Sequence, residues 1–313
     1  MEAILNRSDE NRLRAFALDR SYLVALAYRM LGDVGRAEDM VQEAWLRWQA
    51  AAVEVESPRA YLVTVVTRLC LQELDSARSR KEESRGDRLP EPVDLEASGL
   101  CSAERIERVS MAFGVALQRL TPAERAVLLL HDVFDLEHQE IARLLEKSVP
   151  ACRKLLERAR HDVRDARRML ETSADEHRRL LQAFVSAAGA GDMTSLVALL
   201  AEDAVIISDG GSEGRGVGGL RNLRKPLAGA ARVAAFVVAA TRRGGALFQV
   251  EEHELNGQPA VVFYDGERPS AALLLGVADG KIQRVFFHAD LQRLAHLGPR
   301  PALELPGLGS TRP

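Results

Sequence analysis

Apolar residues recur at helical spacing through the first half of the chain and gather into strand-length runs only near its end. Residues 12 to 31 place Leu13, Phe16, Ala17, Tyr22 to Leu26 and Met30 on one side and stop at Gly32. That spacing predicts a first helix. Asp33 opens a second, DVGRAEDMVQEAWLRWQA, with Val34, Ala37, Met40, Val41, Ala44, Trp45 and Trp48 as its inner stripe. Glu38, Asp39, Gln42 and Glu43 fall on the polar side, within about a turn of one another. Ser57 and Pro58 suit an N-cap and a first turn, so a third helix is expected to run from here to Lys81. Its first half is nearly all apolar and its tail carries Arg78, Arg80 and Lys81. Three consecutive helices with short connections predict an all-α domain.

A second helical set follows at Thr121. Thr121, Pro122 and Glu124 have the spacing of a capping box with proline in the first turn. Val127, Leu128, Leu130, Val133 and Phe134 continue the apolar face until Asp135 interrupts it. Glu137 to Leu145 predicts a short helix with Ile141, Leu144 and Leu145 inward. Ser148 is placed to cap a third, in which Val149, Cys152, Leu155, Leu156, Ala159 and Val163 would face the core. The other face carries Arg153, Lys154, Arg158, Arg160 and Arg164. Seven basic residues stand against three acidic ones between Ser148 and Arg168, in a chain whose net charge is −3. A capped helix, a tight turn and a second helix with a basic face is the helix-turn-helix pattern, whose second helix enters the DNA major groove. An ordinary solvated amphipathic helix would show the same charges. The turn, Leu145-Glu146-Lys147-Ser148, lacks the glycine often found there.

The stretch from 79 to 103 is polar, charged and broken by Pro90, Pro92 and Gly99. It reads as a linker, extended at Leu89-Pro90-Glu91-Pro92 because residues before proline avoid the helical region. Beyond residue 174 the pattern changes. Two helices (about 175–189 and 192–201), a strand at 204–208 and a helix at 230–240 precede four strand-length runs. These are LFQVEEHEL, PAVVFYD, SAALLLGVADG and KIQRVFFHAD, divided by Asn256-Gly257, Gly266 and Asp279-Gly280. Helices on an antiparallel sheet predict an α+β domain.

Composition narrows the classes. The 313 residues exceed one typical core and predict two or three domains. Cys70, Cys101 and Cys152 are widely spaced, with no CxxC and no histidine cluster, which argues for a reducing compartment and against a disulfide framework or a zinc site. No metal or cofactor is called for. The start, MEAILNRSDENRLRAF, is unlike a signal peptide, and no apolar run approaches the ~18 residues of a membrane span. A cytoplasmic protein without membrane contact is expected.

Three stretches in order, AYRMLGDVGRAEDMVQEAWLRW, SPRAYLVTVVTRLCLQEL and LTPAERAVLLLHDVFDLEHQEIARLL, resemble regions 2 and 4 of bacterial extracytoplasmic-function sigma factors. The LPEP sequence at 89–92, the Asp209-Gly210-Gly211 loop and the strands LNGQPAVVFYD and VADGKIQRVFF resemble the subgroup with a fused SnoaL-like cone. The resemblance implies five parts: region 2 over 1–82, a linker over 83–103, a helix-turn-helix region 4 over 104–171, a cone over 172–300 and a tail over 301–313. It implies two all-α domains plus an α+β cone, and an initiation factor rather than an enzyme.

The implied partners are core RNA polymerase, through its β′ clamp helices and β flap, promoter duplex, and the non-template strand of the −10 element. Glu38, Asp39, Gln42 and Glu43 would dock on polymerase. Arg59, Tyr61, Thr67, Arg68, Arg78 and Arg80 would serve the −10 element, by phosphate contact or by stacking of flipped bases. Ser148, Ala151, Arg153, Lys154, Glu157, Arg158 and Arg160 would serve the −35 element. Leu89, Pro90, Glu91, Pro92, Asp209, Gly210 and Gly211 would make interdomain contacts. The sequence departs from the subgroup at Glu213, where a basic residue is usual, and before LPEP, where Arg85-Gly86-Asp87-Arg88 replaces an aromatic lead-in. A rival reading makes the cone an enzyme or a small-molecule binder with an accessory DNA-binding head, with Asp209 and His288 as a base and its partner.

Overall fold

The computed structural model describes residues 2–51, 55, 57–76, 88–95, 98, 110–211, 222–223, 225–244 and 248–300, with side chains from residue 12 onward. Arg78, Arg80, Cys101, Glu213 and the tail from 301 lie outside the described residues.

Helix α1 (Glu2–Leu31) begins ten residues before the apolar spacing does. It is closed by Gly32, at φ 71°, a backbone angle that favours glycine. Asp33 caps α2 (Val34–Ala50), its carboxylate accepting the Arg36 N–H at 2.9 Å. Ala37, Val41, Ala44 and Trp48 are buried, while Val34, Met40 and Trp45 pack at the margin. Trp48 lies in the core, as its place on the inner stripe predicts. Ser57 caps α3 (Pro58–Asp75). This helix is shorter than expected: Ser76 turns extended at ψ 147° and its N–H goes back to the Glu73 carbonyl.

The second helical set comprises α4 (Met111–Arg119), α5 (Pro122–Asp132), α6 (His138–Leu145), α7 (Val149–Asp162) and α8 (Arg164–Arg168). The capping box at Thr121 and Glu124 is formed in full, a device worth about 1 kcal/mol. Asp135 takes φ 55° and breaks the chain between α5 and α6. Buried residues surround α5 from Glu124 to Leu130, so this helix is packed by other elements on every side. It touches α1 and α3 of the first domain as well as α6 and α7 of its own.

The C-terminal domain carries α9 (Ala174–Ala190), α10 (Met193–Leu199) and α11 (Ala230–Gly244) against six strands. They are β1 (Leu200–Asp209), β2 (Leu227–Ala228), β3 (Gln249–Leu255), β4 (Gln258–Asp265), β5 (Arg268–Ala278) and β6 (Lys281–His288). The order is β2-β1-β6-β5-β4-β3, antiparallel except for the β1–β6 pair. Leu180, Leu181, Phe184 and Val233 meet Val261, Leu275 and Val285 and fill the space between helices and sheet. The opposite sheet face, with Leu255, Val262, Tyr264, Leu274 and Phe286, belongs to one continuous apolar core with both helical domains. A short helix, α12 (Leu291–Leu294), follows the last strand. Among the described residues no helix is long and apolar enough to cross a membrane.

Candidate nucleic-acid interface and interdomain junction

The basic helix α7 is capped by Ser148, whose Oγ accepts the Ala151 N–H at 3.3 Å. Cys152, Leu156 and Ala159 face inward, which leaves Arg153, Lys154, Glu157, Arg158 and Arg160 exposed on the other side. The periodic pattern alone dictates that division. The structure adds which of these cations are engaged. Arg158 pairs with Glu124 at 3.2 Å. Arg160 grips Asp132 with two nitrogens, at 3.0 and 2.5 Å, and Arg167 reaches the same carboxylate. Partial burial works to raise the Asp132 carboxyl, but hydrogen bonds from these two arginines outweigh it and hold it below the ordinary carboxylate value. His131, also bonded to Asp132, stacks on His138 with ring centroids 4.4 Å apart.

On α2, Asp39 and Gln42 are exposed; Glu38 pairs with Arg20 at 3.2 Å and Glu43 with Arg47 at 2.8 Å. Exposed Leu46 continues the same side. These residues form one surface. The −10 candidates separate. Arg59 is exposed and lies over the Tyr22 ring at 4.0 Å, and Tyr61 is half-buried. Thr67 is a correction to the sequence reading: at 0 % exposure it shares the inner face with Val63, Val66 and Cys70. Threonine carries a methyl group as well as a hydroxyl, so its spacing could be read either way.

Arg68, one residue on, is the most informative. Its Nε donates to the Leu144 carbonyl at 3.3 Å and its Nη2 to Glu146 at 3.0 Å. Glu146 is the turn residue where glycine is often found, held at φ 55°. An arginine expected to serve the −10 element is thus bonded to the turn before the helix expected to serve the −35 element. Between the two helices lies a cleft of about 580 Å³, lined by Arg68, Leu71, Gln72 and Leu145 among others. Nearby, Phe134 meets Tyr22 edge-on at 4.7 Å, and buried Arg29 lies 5.8 Å from the same Phe134 ring. Burial lowers Arg29 to about 10, so it stays charged at neutral pH.

The stretch read as a linker is buried at Leu89–Val93. Glu91 donates its N–H to the Gly32 carbonyl at 3.0 Å. Its carboxylate accepts the Val34 N–H at 2.7 Å and Arg293 Nε at 3.1 Å. Its carbonyl accepts the Tyr28 hydroxyl at 2.6 Å, and that oxygen accepts Asn256 Nδ2 at 2.7 Å. Asn256 also exchanges two hydrogen bonds with the Val93 backbone, at 3.1 and 2.7 Å. Asp209 accepts the N–H groups of Leu89 at 3.0 Å and Gly211 at 2.9 Å. His296 Nε2 lies 2.8 Å from the Pro92 carbonyl, which makes it the protonated nitrogen.

Arg293 ties the junction together. Besides Glu91 it donates to the Leu89 carbonyl, to Asp209 at 3.3 Å and to the Gly32 carbonyl at 2.7 Å, with only 6 % of it exposed. Linker, first domain and cone therefore share one guanidinium. The second helical domain joins through Met111 N–H, which donates to Gln258 at 3.1 Å. Two glycines here are favoured by their positive φ angles, and a Cβ would also crowd a neighbouring side chain. A Cβ on Gly32 would lie 2.6 Å from Gln118 Nε2, and one on Gly211, at φ 68°, would lie 2.6 Å from Asp290 Oδ2.

Leu89, Pro90, Glu91, Pro92, Asp209, Gly210 and Gly211 are thereby brought to one place. Tyr28, Asn256, Arg293 and His296, absent from the sequence reading, complete it. Asn256-Gly257 was legible only as a turn, and nothing in the sequence pattern singled out Arg293. Asp209 and His288 are register partners on β1 and β6. They do not bond: the Asp209 carboxylate serves Leu89, Gly211 and Arg293, and neither His288 ring nitrogen has a partner among the described residues.

Family models for Sigma-70 region 2 and Sigma-70, region 4 match residues 16–80 and 110–162. The probable ECF RNA polymerase sigma factor SigI of Mycobacterium tuberculosis is 32% identical over 283 residues, covering 87% of this chain and 90% of that protein. The ECF RNA polymerase sigma factor SigJ of the same species is 35% identical over 277 residues, covering 84% and 86%. The crystal structure of M. tuberculosis SigJ superposes with a TM-score of 0.68 at 31% identity, covering 90% of this chain and 97% of that one.

Proposed function

The chain belongs to the extracytoplasmic-function RNA polymerase sigma factors, and from that premise we propose how its three units divide the work of starting transcription. As a member it binds core RNA polymerase and promoter DNA and directs initiation at promoters. In our reading the α2 surface of Glu38, Asp39, Gln42 and Glu43 docks on the β′ clamp helices. Arg59, Tyr61 and Arg68, with Arg78 and Arg80, serve the −10 element and its displaced non-template strand. Ser148, Ala151, Arg153, Lys154 and Glu157 read the −35 element, while the helical domain that carries them rests on the β flap. The domain limits are those read from the sequence, with the cone beginning near residue 172.

The cone regulates in cis by holding the two readers together. One observation carries this: Arg68 is bonded to Glu146, two residues before Ser148, the cap of the reading helix. The two promoter elements lie about two duplex turns apart, roughly 70 Å. Readers in contact cannot span that distance, so the described arrangement is a closed one. Promoter binding then requires the junction at Leu89–Val93 to release. The Asp209 carboxylate, weighed in the rival reading as a base with His288, is taken up by Leu89, Gly211 and Arg293 instead.

Run-off transcription tests the assignment. Core polymerase with the full chain should give discrete transcripts from promoters selected out of a random pool, and the polymerase alone should give none. Absence of any chain-dependent start would overturn it.

A further inference from the structure

Of the seven basic residues between Ser148 and Arg168, the two held by Asp132 point to a role that the DNA-reading face does not explain. Asp132 is the last residue of α5, and its side chain is 8 % exposed. Arg160 lies in the final turn of α7. Arg167 lies in α8, beyond the break at Val163, where the backbone leaves the helix at ψ 4°. One carboxylate therefore bridges the break, gripping a guanidinium on each side of it.

A bidentate grip uses the same fork of donors that would address a guanine edge or a phosphate. Asp132 fixes the Nε and Nη2 donors of Arg160 on α5 and offsets its charge, so this guanidinium is not free to follow a phosphate although its side chain is 48 % exposed. Arg168 is likewise engaged, by Asp279 of the cone at 2.7 Å. Arg153 and Lys154 remain exposed in the first half of α7, where helix-turn-helix proteins contact bases.

We propose that Asp132 is a positioning residue for −35 recognition: it fixes α7 and α8 against α5 and withholds Arg160 and Arg167 from the phosphate backbone. Sequence preference then rests on the first half of the helix, and the sequence-independent attraction is kept low. A carboxylate lost at this place would free two cations near the duplex. Non-specific affinity would rise and preference would fall, because phosphate contacts carry no sequence information.

The proposal rests on the assignment of α7 to the −35 element, and the test separates the two. The full chain bound to core polymerase is titrated with a −35 duplex selected from a random pool and with an unrelated duplex, across a range of salt. If wild type shows no preference between them, the assignment fails. Given a wild-type preference, Asp132→Asn should steepen the dependence of log affinity on log salt by about one to two units, near 0.9 for each new phosphate contact. Preference for the selected duplex should fall about fivefold or more. Arg160→Gln removes the α7 side of the grip without freeing a cation, so its slope should stay within about half a unit of wild type while its preference falls in the same direction as in Asp132→Asn. A role confined to stability would weaken both duplexes with an unchanged slope, and that result overturns the proposal. So does a slope lowered by about one unit in Arg160→Gln, which would mean a phosphate contact and can be read even if Asp132→Asn does not fold.

Discussion

Replacing Arg293 by methionine keeps the length and apolar stem of the side chain and removes every donor. Two buried carboxylates lose a partner: Glu91 retains the Val34 N–H, and Asp209 retains the N–H groups of Leu89 and Gly211. The Gly32 and Leu89 carbonyls each lose a charged donor. Breaking a buried ion pair by removing one member costs about 3–5 kcal/mol, because the remaining charge stays desolvated. At about 1.4 kcal/mol per decade, this is roughly two to three and a half decades in the ratio of closed to open chains. The loss should fall on docking and not on folding. Within the cone itself Arg293 bonds only Asp209; its other bonds cross to the linker and to Gly32.

Hydrogen exchange reads this directly. The amides of Leu89, Glu91 and Val93 donate to Asp209, Gly32 and Asn256 respectively. In Arg293→Met these three should exchange about a hundredfold faster or more, while α5 and β5 keep their protection. Arg293→Lys should recover only part of it, since one ammonium cannot reproduce the planar fork. Unchanged protection at the three amides would refute the reasoning. Equal acceleration everywhere would also refute it, by showing that Arg293 supports the fold as a whole.

Glu146→Gly relieves a non-glycine residue at φ 55°, worth about 1 kcal/mol, and removes the partner of Arg68. It should leave the helical domain as stable or more so while raising promoter binding by the free holoenzyme; weaker promoter binding would contradict this. Burial, with Arg293 and His296 adding positive charge nearby, holds His288 well below the ordinary histidine value. A depressed folded value means that the neutral ring's contribution is complete above about pH 6.5 and is lost as the pH falls through that lower value. Thermal stability should therefore drop on acidification below about pH 6.5. His288→Leu should flatten that profile, and a flat wild-type profile would exclude the account. Reversing Asp39 and Glu43 to lysine should cut capture of core polymerase about tenfold or more without lowering the melting temperature; unaltered capture would move the docking surface elsewhere.

Local devices were legible in the sequence because their partners lie within a few residues. Ser57, Thr121 and Ser148 cap as their spacing demands. The two faces of α7 follow from periodicity alone. Thr67 was not legible, since its side chain suits either face of a helix. The junction was half legible. Leu89 to Pro92 and Asp209 stood out as motifs, but Arg293 bonds to backbone carbonyls 204 and 261 residues away, which no side-chain pattern encodes. The missing turn glycine acquires a physical account: Glu146 accepts a strained angle and supplies the carboxylate that holds Arg68. For the same reason the closed arrangement was beyond reach of the sequence, which shows the readers and their tether but not that they touch.

The most direct test of a closed factor that opens on its promoter is a distance between labels on the two readers. Gln72 on α3 and Asp162 at the end of α7 are both exposed and Cys70 and Cys152 are buried; Cys101, outside the described residues, is replaced by serine. Labels at Gln72→Cys and Asp162→Cys sit on two packed domains in the free chain, well short of roughly 70 Å apart, and should separate toward roughly 70 Å, about two duplex turns, in the holoenzyme on a selected promoter. The same short distance in a promoter complex that makes transcripts would contradict the account.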